Sequence, residues 1–151
     1  MSKLEQFIAR FPWVRSNAIP FAKLTKDLAD CKIALVSTGG VYAPSDMPFN
    51  IIGSADVDES HREISYDVPL QDLKIAHEHF NKAFSAQDMN VIYPIERLQT
   101  LVEEFYIGGV AEINYSISGY IPNPDKLFQT GKTIATSMLA QGVDIALIVP
   151  V

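Results

Sequence analysis

The sequence predicts an α/β domain, and three observations carry that prediction. Lys32 to Ser37 (KIALVS) is a continuous apolar, β-rich run ending on Thr38-Gly39-Gly40, the pattern of a buried strand leaving into a tight turn. Glu112 to Ser118 (EINYSIS) alternates as a strand, passes through Gly119-Tyr120-Ile121-Pro122-Asn123 into a helix opened by Pro124 and Asp125, and returns at Val143 to Val149 as a nearly all-apolar strand. That succession is a β-α-β unit, which implies two parallel strands and a right-handed crossover. From Pro94 the period becomes helical, with Ile95, Leu98, Leu101, Val102 and Phe105 on one stripe that ends before Gly108-Gly109. The expected architecture is an open, mostly parallel sheet with flanking helices, a three-layer arrangement of the Rossmann-like or flavodoxin-like kind. It is expected to be incomplete at the C-terminus, because a last strand that is apolar on both faces calls for a helix to cover it.

The remaining elements follow from local pattern. Residues 1 to 31 form a leader expected to pack on the core: a short helical period at Leu4, Phe7, Ile8 and Phe11, a break at Pro12 and Pro20, and a resumed helical period from Phe21 to Ala29. Val41 to Pro69, rich in Pro, Asp and Ser, reads as a long loop with one or two short strands. Asp72 to Phe80 (DLKIAHEHF) alternates, so an extended chain puts Leu73, Ile75, His77 and His79 on one side. In the second helix Leu127, Ile134, Ala135, Met138 and Leu139 share a face, with Asn123 suited to the N-cap and Gly142 to the C′ position. Ligands of such folds bind at the carboxyl ends of the strands, where Thr38 to Val41, Ser118 to Asn123 and Pro150-Val151 are expected to meet.

Composition narrows the function. The 151 residues, 48% of them hydrophobic, suffice for a single α/β domain, residues 1–151. No apolar stretch approaches the roughly 20 residues of a membrane helix, and the charged N-terminus lacks the uninterrupted apolar region of a secretory signal, so a cytoplasmic location is expected. Cys31 is the only cysteine, which excludes an intramolecular disulfide, a CxxC pair or a thiolate zinc cluster. A net charge of −6 with 12 Lys and Arg residues offers no basic stripe for nucleic acid.

Four motifs bear on chemistry. In VSTGGVY, glycine lets the backbone approach closely, so the N–H groups and the Thr38 hydroxyl could face an anion, or the turn could simply end a strand. His77 and His79 could hold a metal from one strand face, but two ligands are too few for a site; hydrogen bonding is the expected role and no metal is assigned. In DMNVIYPIER, Asp88 and Asn90 suit turn or capping roles with Arg97 toward solvent. In Ser60-His61-Arg62-Glu63 the guanidinium could meet a substrate carboxylate or form a surface ion pair, and Cys31, lying before the first strand, reads as a small buried residue.

Taken in order, ALVSTGGVY, HREI, AHEHF, DMNVIYPIERL, IGGVAEINYSISGY and GVDIALIVPV resemble the selenoprotein B family of glycine, sarcosine, betaine and D-proline reductases, most of all its D-proline reductase branch. The likeness runs from about Lys32 to Val151, with a looser match near Pro20 to Leu24. Thr38, Gly39 and Gly40 match the family's TGG, His77 and His79 its HxH, Asp88 and Asn90 its DxN, and Gly119-Tyr120 its GY; these nine residues are the substrate-binding candidates. One departure is Ala55 to His61, where the family carries Gly-Asp before the Arg-Glu-Ile match.

The resemblance implies a subunit that reductively cleaves a C–N bond of an amino-acid-like substrate. In the family a selenocysteine directly follows the strand matching Val143 to Val151. No catalytic residue is therefore expected within these residues, and the chain is expected to stop at an unrecoded UGA. The resemblance further implies no cofactor on this chain, a pyruvoyl group on a partner subunit, and a hetero-oligomer. The alternative is a stand-alone, non-catalytic α/β module that binds a small carboxylate at the TGG edge.

Overall fold

The computed structural model describes residues 2–10, 20, 22–50, 58–78, 80–121 and 123–151. Its centre is β1 (Lys32–Ser37), buried along almost its whole length. In chain order follow β2 (Val41–Tyr42), β3 (His61–Ser65), β4 (Lys74–Ile75), β5 (Gly109–Val110), β6 (Ile113–Ile117) and β7 (Ile145–Val149). The described helices are α1 (Lys3–Arg10), α2 (Ile95–Glu103) and α3 (Leu127–Ala140). The fold is α/β with a mostly parallel sheet: β5, β6 and β7 all run parallel to β1, and β3 closes the far side antiparallel to β6. The β2–β4 pair forms a separate antiparallel ribbon.

The expected β-α-β unit is β6, α3 and β7, and its two strands are parallel because both are parallel to β1. They are not neighbours. β1 lies between them, so α3 crosses over it. Alternation along β1 divides the core: Ile33 and Leu35 face a cluster with Tyr93, Ile95 and Leu98, whereas Ala34 and Val36 face Tyr115 and, from α3, Ile134 and Met138.

One side of β1 is built unusually. The chain pairing with it is broken between β5 and β6, and a buried side chain spans the break. Leu35 N–H donates to Asn114 Oδ1 at 2.8 Å, and Asn114 Nδ2 donates to the Ala111 carbonyl at 2.9 Å. The amide thus substitutes for a missing backbone rung, which in this fully buried place would otherwise leave polar groups unpaired. Next to it, the Tyr115 hydroxyl, Ser137 and Gln141 form a chain of bonds that ties β6 to the end of α3.

Local expectations and structure differ in identifiable ways. The period from Phe21 to Ala29 yields only a single 3₁₀ turn at Leu28–Asp30; Phe21 lies outside the described residues, and residues 22–30 are exposed, so little apolar burial sustains a short helix there. The helical stripe ends at Glu103 rather than including Phe105, which sits at φ +62° and is 86% exposed. Gly109, which the sequence places beyond the helix, begins β5. Asn123 Oδ1 accepts the Asp125 N–H at 3.0 Å, capping a 3₁₀ turn at Pro124–Lys126 that leads into α3, and Gly142 takes φ +70° just beyond the helix. On α3 itself Ile134 and Met138 are buried, but Ala135 and Leu139 are exposed.

Candidate functional site

The Thr38-Gly39-Gly40 turn is fixed from every side. Thr38 N–H donates to the Val149 carbonyl at 3.0 Å and Gly39 N–H to Ser37 Oγ at 3.0 Å. Gly40 N–H reaches the Ile117 carbonyl at 3.1 Å, and Val41 N–H reaches Ser116 Oγ at 2.8 Å. All four amides therefore have partners within the chain. What the turn keeps to offer is the Thr38 hydroxyl, which accepts the Val151 N–H at 2.8 Å and still has its own proton to donate.

His77 and Gly119 stand against this turn. The Gly40 carbonyl accepts the Ala76 N–H at 2.9 Å, which brings the buried His77 alongside. Gly40 has φ +63°, and a Cβ there would lie 2.2 Å from the Ala76 carbonyl oxygen, so both dihedral and space demand glycine. A Cβ on Gly119 would lie 2.1 Å from His77 Nε2 and 2.4 Å from the Thr38 carbonyl oxygen. The His77 ring also packs edge-on against Phe80, with centroids 5.0 Å apart. Thr38, Gly39, Gly40, His77, Gly119 and the chain at Val151 thus meet at the carboxyl ends of the parallel strands. Tyr120, next along, is half exposed, and His79 lies outside the described residues.

Asp88 and Asn90 are placed differently. Asp88 Oδ1 accepts both the backbone N–H and the side-chain amide of Asn90 at 2.9 Å, and the same amide donates to Glu96 Oε2 at 2.8 Å. The Asn90 side-chain bond, then the backbone bond, hold the Asp88 carboxyl below its ordinary range, with Arg97 at 3.5 Å assisting and partial burial opposing. Asp88 and Glu96 line a cavity of about 540 Å³ whose other walls include Leu70, Leu73, Ile75 and Lys82, and to which the TGG turn does not contribute. The link between the two places is Ile92: its carbonyl accepts the Ser37 hydroxyl at 2.7 Å, and its side chain would be 3.1 Å from a Cβ at Gly39. Asp88 and Asn90 therefore shape the turn that supports the TGG edge from below.

Arg62 is fully employed in the fold. Its five N–H donors go to the Met47, Pro48 and His61 carbonyls, the Ser60 hydroxyl and Asp58, and its plane lies 4.1 Å from the Phe49 ring centroid. A substrate carboxylate would find no donor there. Cys31 is buried, donates to the Asp27 carbonyl, and has its thiol pushed up by burial, which suits a structural residue. Asn114, Ser37 and Ser116 were not singled out by the sequence reading; their signal was two hydrogen-bonding residues, Asn114 and Ser116, on one face of an otherwise apolar strand.

Comparison with known proteins decides the kinship of this arrangement. The model of the glycine/sarcosine/betaine reductase selenoprotein B family matches residues 1–150. The chain belongs to that family. It is 32% identical over 126 residues to the D-proline reductase subunit gamma of Acetoanaerobium sticklandii, covering 83% of this chain and 50% of the relative. It is also 32% identical over 146 residues to the betaine reductase complex component B subunit beta of Peptoclostridium acidaminophilum, covering 93% of this chain and 32% of the relative. A sarcosine reductase complex component B subunit beta of the same organism is 26% identical over 145 residues. The chain thus spans about a third to a half of the length of these relatives. No solved structure matches. Among the described residues no helix is long and apolar enough to cross a membrane.

Proposed function

We propose that this chain forms the substrate-facing sheet edge of a reductase subunit that cleaves a C–N bond of an amino-acid-like substrate. The observation that carries the reading is the convergence of Thr38, His77, Gly119 and Val151 at the carboxyl end of a parallel sheet, in a chain whose relatives are subunits of D-proline, betaine, sarcosine and glycine reductases. A selenolate immediately after Val151 supplies the nucleophile, and a pyruvoyl group on a partner subunit engages the substrate amine. The residues of this chain hold and shape. Thr38 fixes the exit of β7 through the Val151 N–H and keeps a hydroxyl proton for substrate, while His77 and the side-chain-free Gly119 pack against the turn. The engaged amides of residues 38–41 weigh against the alternative of a carboxylate-binding module, which would use those donors.

Two experiments test this reading. If the codon after Val151 is TGA and the frame stays open beyond it, the selenolate stands; TAA or TAG there removes it. In the assembled reductase, Gly119→Val should lower kcat/KM at least about tenfold by forcing a side chain into the space held by the His77 ring and the Thr38 carbonyl. Unchanged activity would take the TGG edge out of the site.

A further inference from the structure

The face of the sheet covered by α3 is only half covered. Between α3 and β7 runs a groove of about 340 Å³, lined by Gly131, Ile134, Ala135 and Met138 of α3 and by Ala146 and Ile148 of β7. Its lining is apolar, and at Gly131 nothing stands within 4 Å of where a Cβ would be. Beyond it, the outer edge of β7 pairs with no strand among the described residues, and Ile148 is 63% exposed. An uncharged, apolar edge of this kind is what natural sheets cover or pair.

We infer that this groove is the seat of an amphipathic helix that packs beside α3 and leads a further strand onto the free edge of β7. Topology sets the face. Parallel crossovers are right-handed in about 98% of cases, so connections that step in the same direction across a sheet lay their helices on the same side. The step from β6 past β1 to β7 puts α3 on the face of Ala34 and Val36, so the next helix in that direction falls on the same face, in the groove. Small residues at Gly131 and Ala135 let a second helix axis come close to α3. The source is polypeptide that the longer relatives carry outside the matched stretch, which in the D-proline reductase subunit gamma is half of its length. The proposal concerns packing and holds whatever chemistry occurs at the TGG edge.

The test compares this chain alone with a chimera in which residues 1–151 replace the matched stretch of the intact Acetoanaerobium sticklandii subunit. Hydrogen exchange of the outward-facing amides of Ile145–Val149 should slow at least about tenfold in the chimera. Ala135→Glu and Ile148→Lys, both at exposed positions, should leave the Tm of the isolated chain unchanged but lower that of the chimera by about 4 °C or more. Thr133→Glu, away from the groove on α3, should change neither. Equal exchange in the two proteins, or variants that shift both or neither, would overturn the proposal. So would sedimentation showing that the isolated chain dimerises and that Ile148→Lys dissociates it, because the groove would then seat a second copy.

Discussion

Two strands of this molecule have nearly the same sequence and opposite fates. In β1, Ile33-Ala34-Leu35-Val36 pairs residue for residue with Ile145-Ala146-Leu147-Ile148 in β7, Ile beside Ile, Ala beside Ala and Leu beside Leu. Yet Leu35 is fully buried and Leu147 is 37% exposed, and Val36 is 8% exposed against 63% for Ile148. Composition and hydropathy cannot separate them. Neighbours do: β1 has strands on both sides and helices or loops on both faces, whereas β7 has β1 on one side and a groove on one face. An apolar strand is thus a capacity for burial, and position in the sheet decides whether the capacity is used.

The contrast can be broken most directly by truncating the paired leucines. Leu35→Ala removes a side chain from a closed core and should cost about 3 kcal/mol or more in urea unfolding, whereas Leu147→Ala should cost under about 1 kcal/mol. Equal losses would mean that β7 is covered in solution.

The β6 side of β1 should be nearly as sensitive, for a polar reason. Asn114→Ala leaves the Leu35 N–H and the Ala111 carbonyl buried without their partner, a loss of about 2–3 kcal/mol by chemical denaturation, and Asn114→Asp restores the acceptor toward Leu35 but not the donor.

At the TGG edge Gly40→Ala meets both a positive φ and the Ala76 carbonyl, so about 2 kcal/mol should be lost and the His77 ring resonances should shift in NMR. A shift without destabilisation would show that the β2–β4 ribbon yields.

The smallest effect is electrostatic. Asp88 has a folded-state pKa below its unfolded value, so its contribution to stability is present above about pH 4 and fades as pH falls through the lower, folded value. Between pH 5 and 3, both approximate bounds, the wild type should therefore lose more stability than Asp88→Asn, as read from Tm against pH. Parallel curves would remove Asp88 from the account.

Much of the placement of the candidate residues was legible because it rests on local physics. The TGG turn, the GY segment and the exit of β7 were placed together by the rule that strand ends gather at one edge, and the bonds from Val151 to Thr38 and the closeness of Gly119 to His77 are that gathering in atoms. Asp88 and Asn90 were read as turn formers and are so. The engagement of Arg62 was not legible, because its partners at Met47 and Pro48 come from a loop whose path no period describes. Nor was the exposure of Phe105, which continues the helical spacing but follows a helix that has already ended.

By itself the sequence determined the elements that local forces suffice to make: β1, α2, β6, α3 with the Asn123-capped turn that leads into it and its Gly142 stop, β7, and the family pattern strung along them. The tertiary structure alone decided that β1 lies between β6 and β7, that Asn114 closes the gap between β5 and β6, and that the apolar faces of β7 and α3 stay half open. The physical reason is range. Dihedral preference and side-chain period act over a few residues, whereas strand order and burial depend on contacts between segments as far apart as Leu35 and Leu147, which a linear pattern does not record.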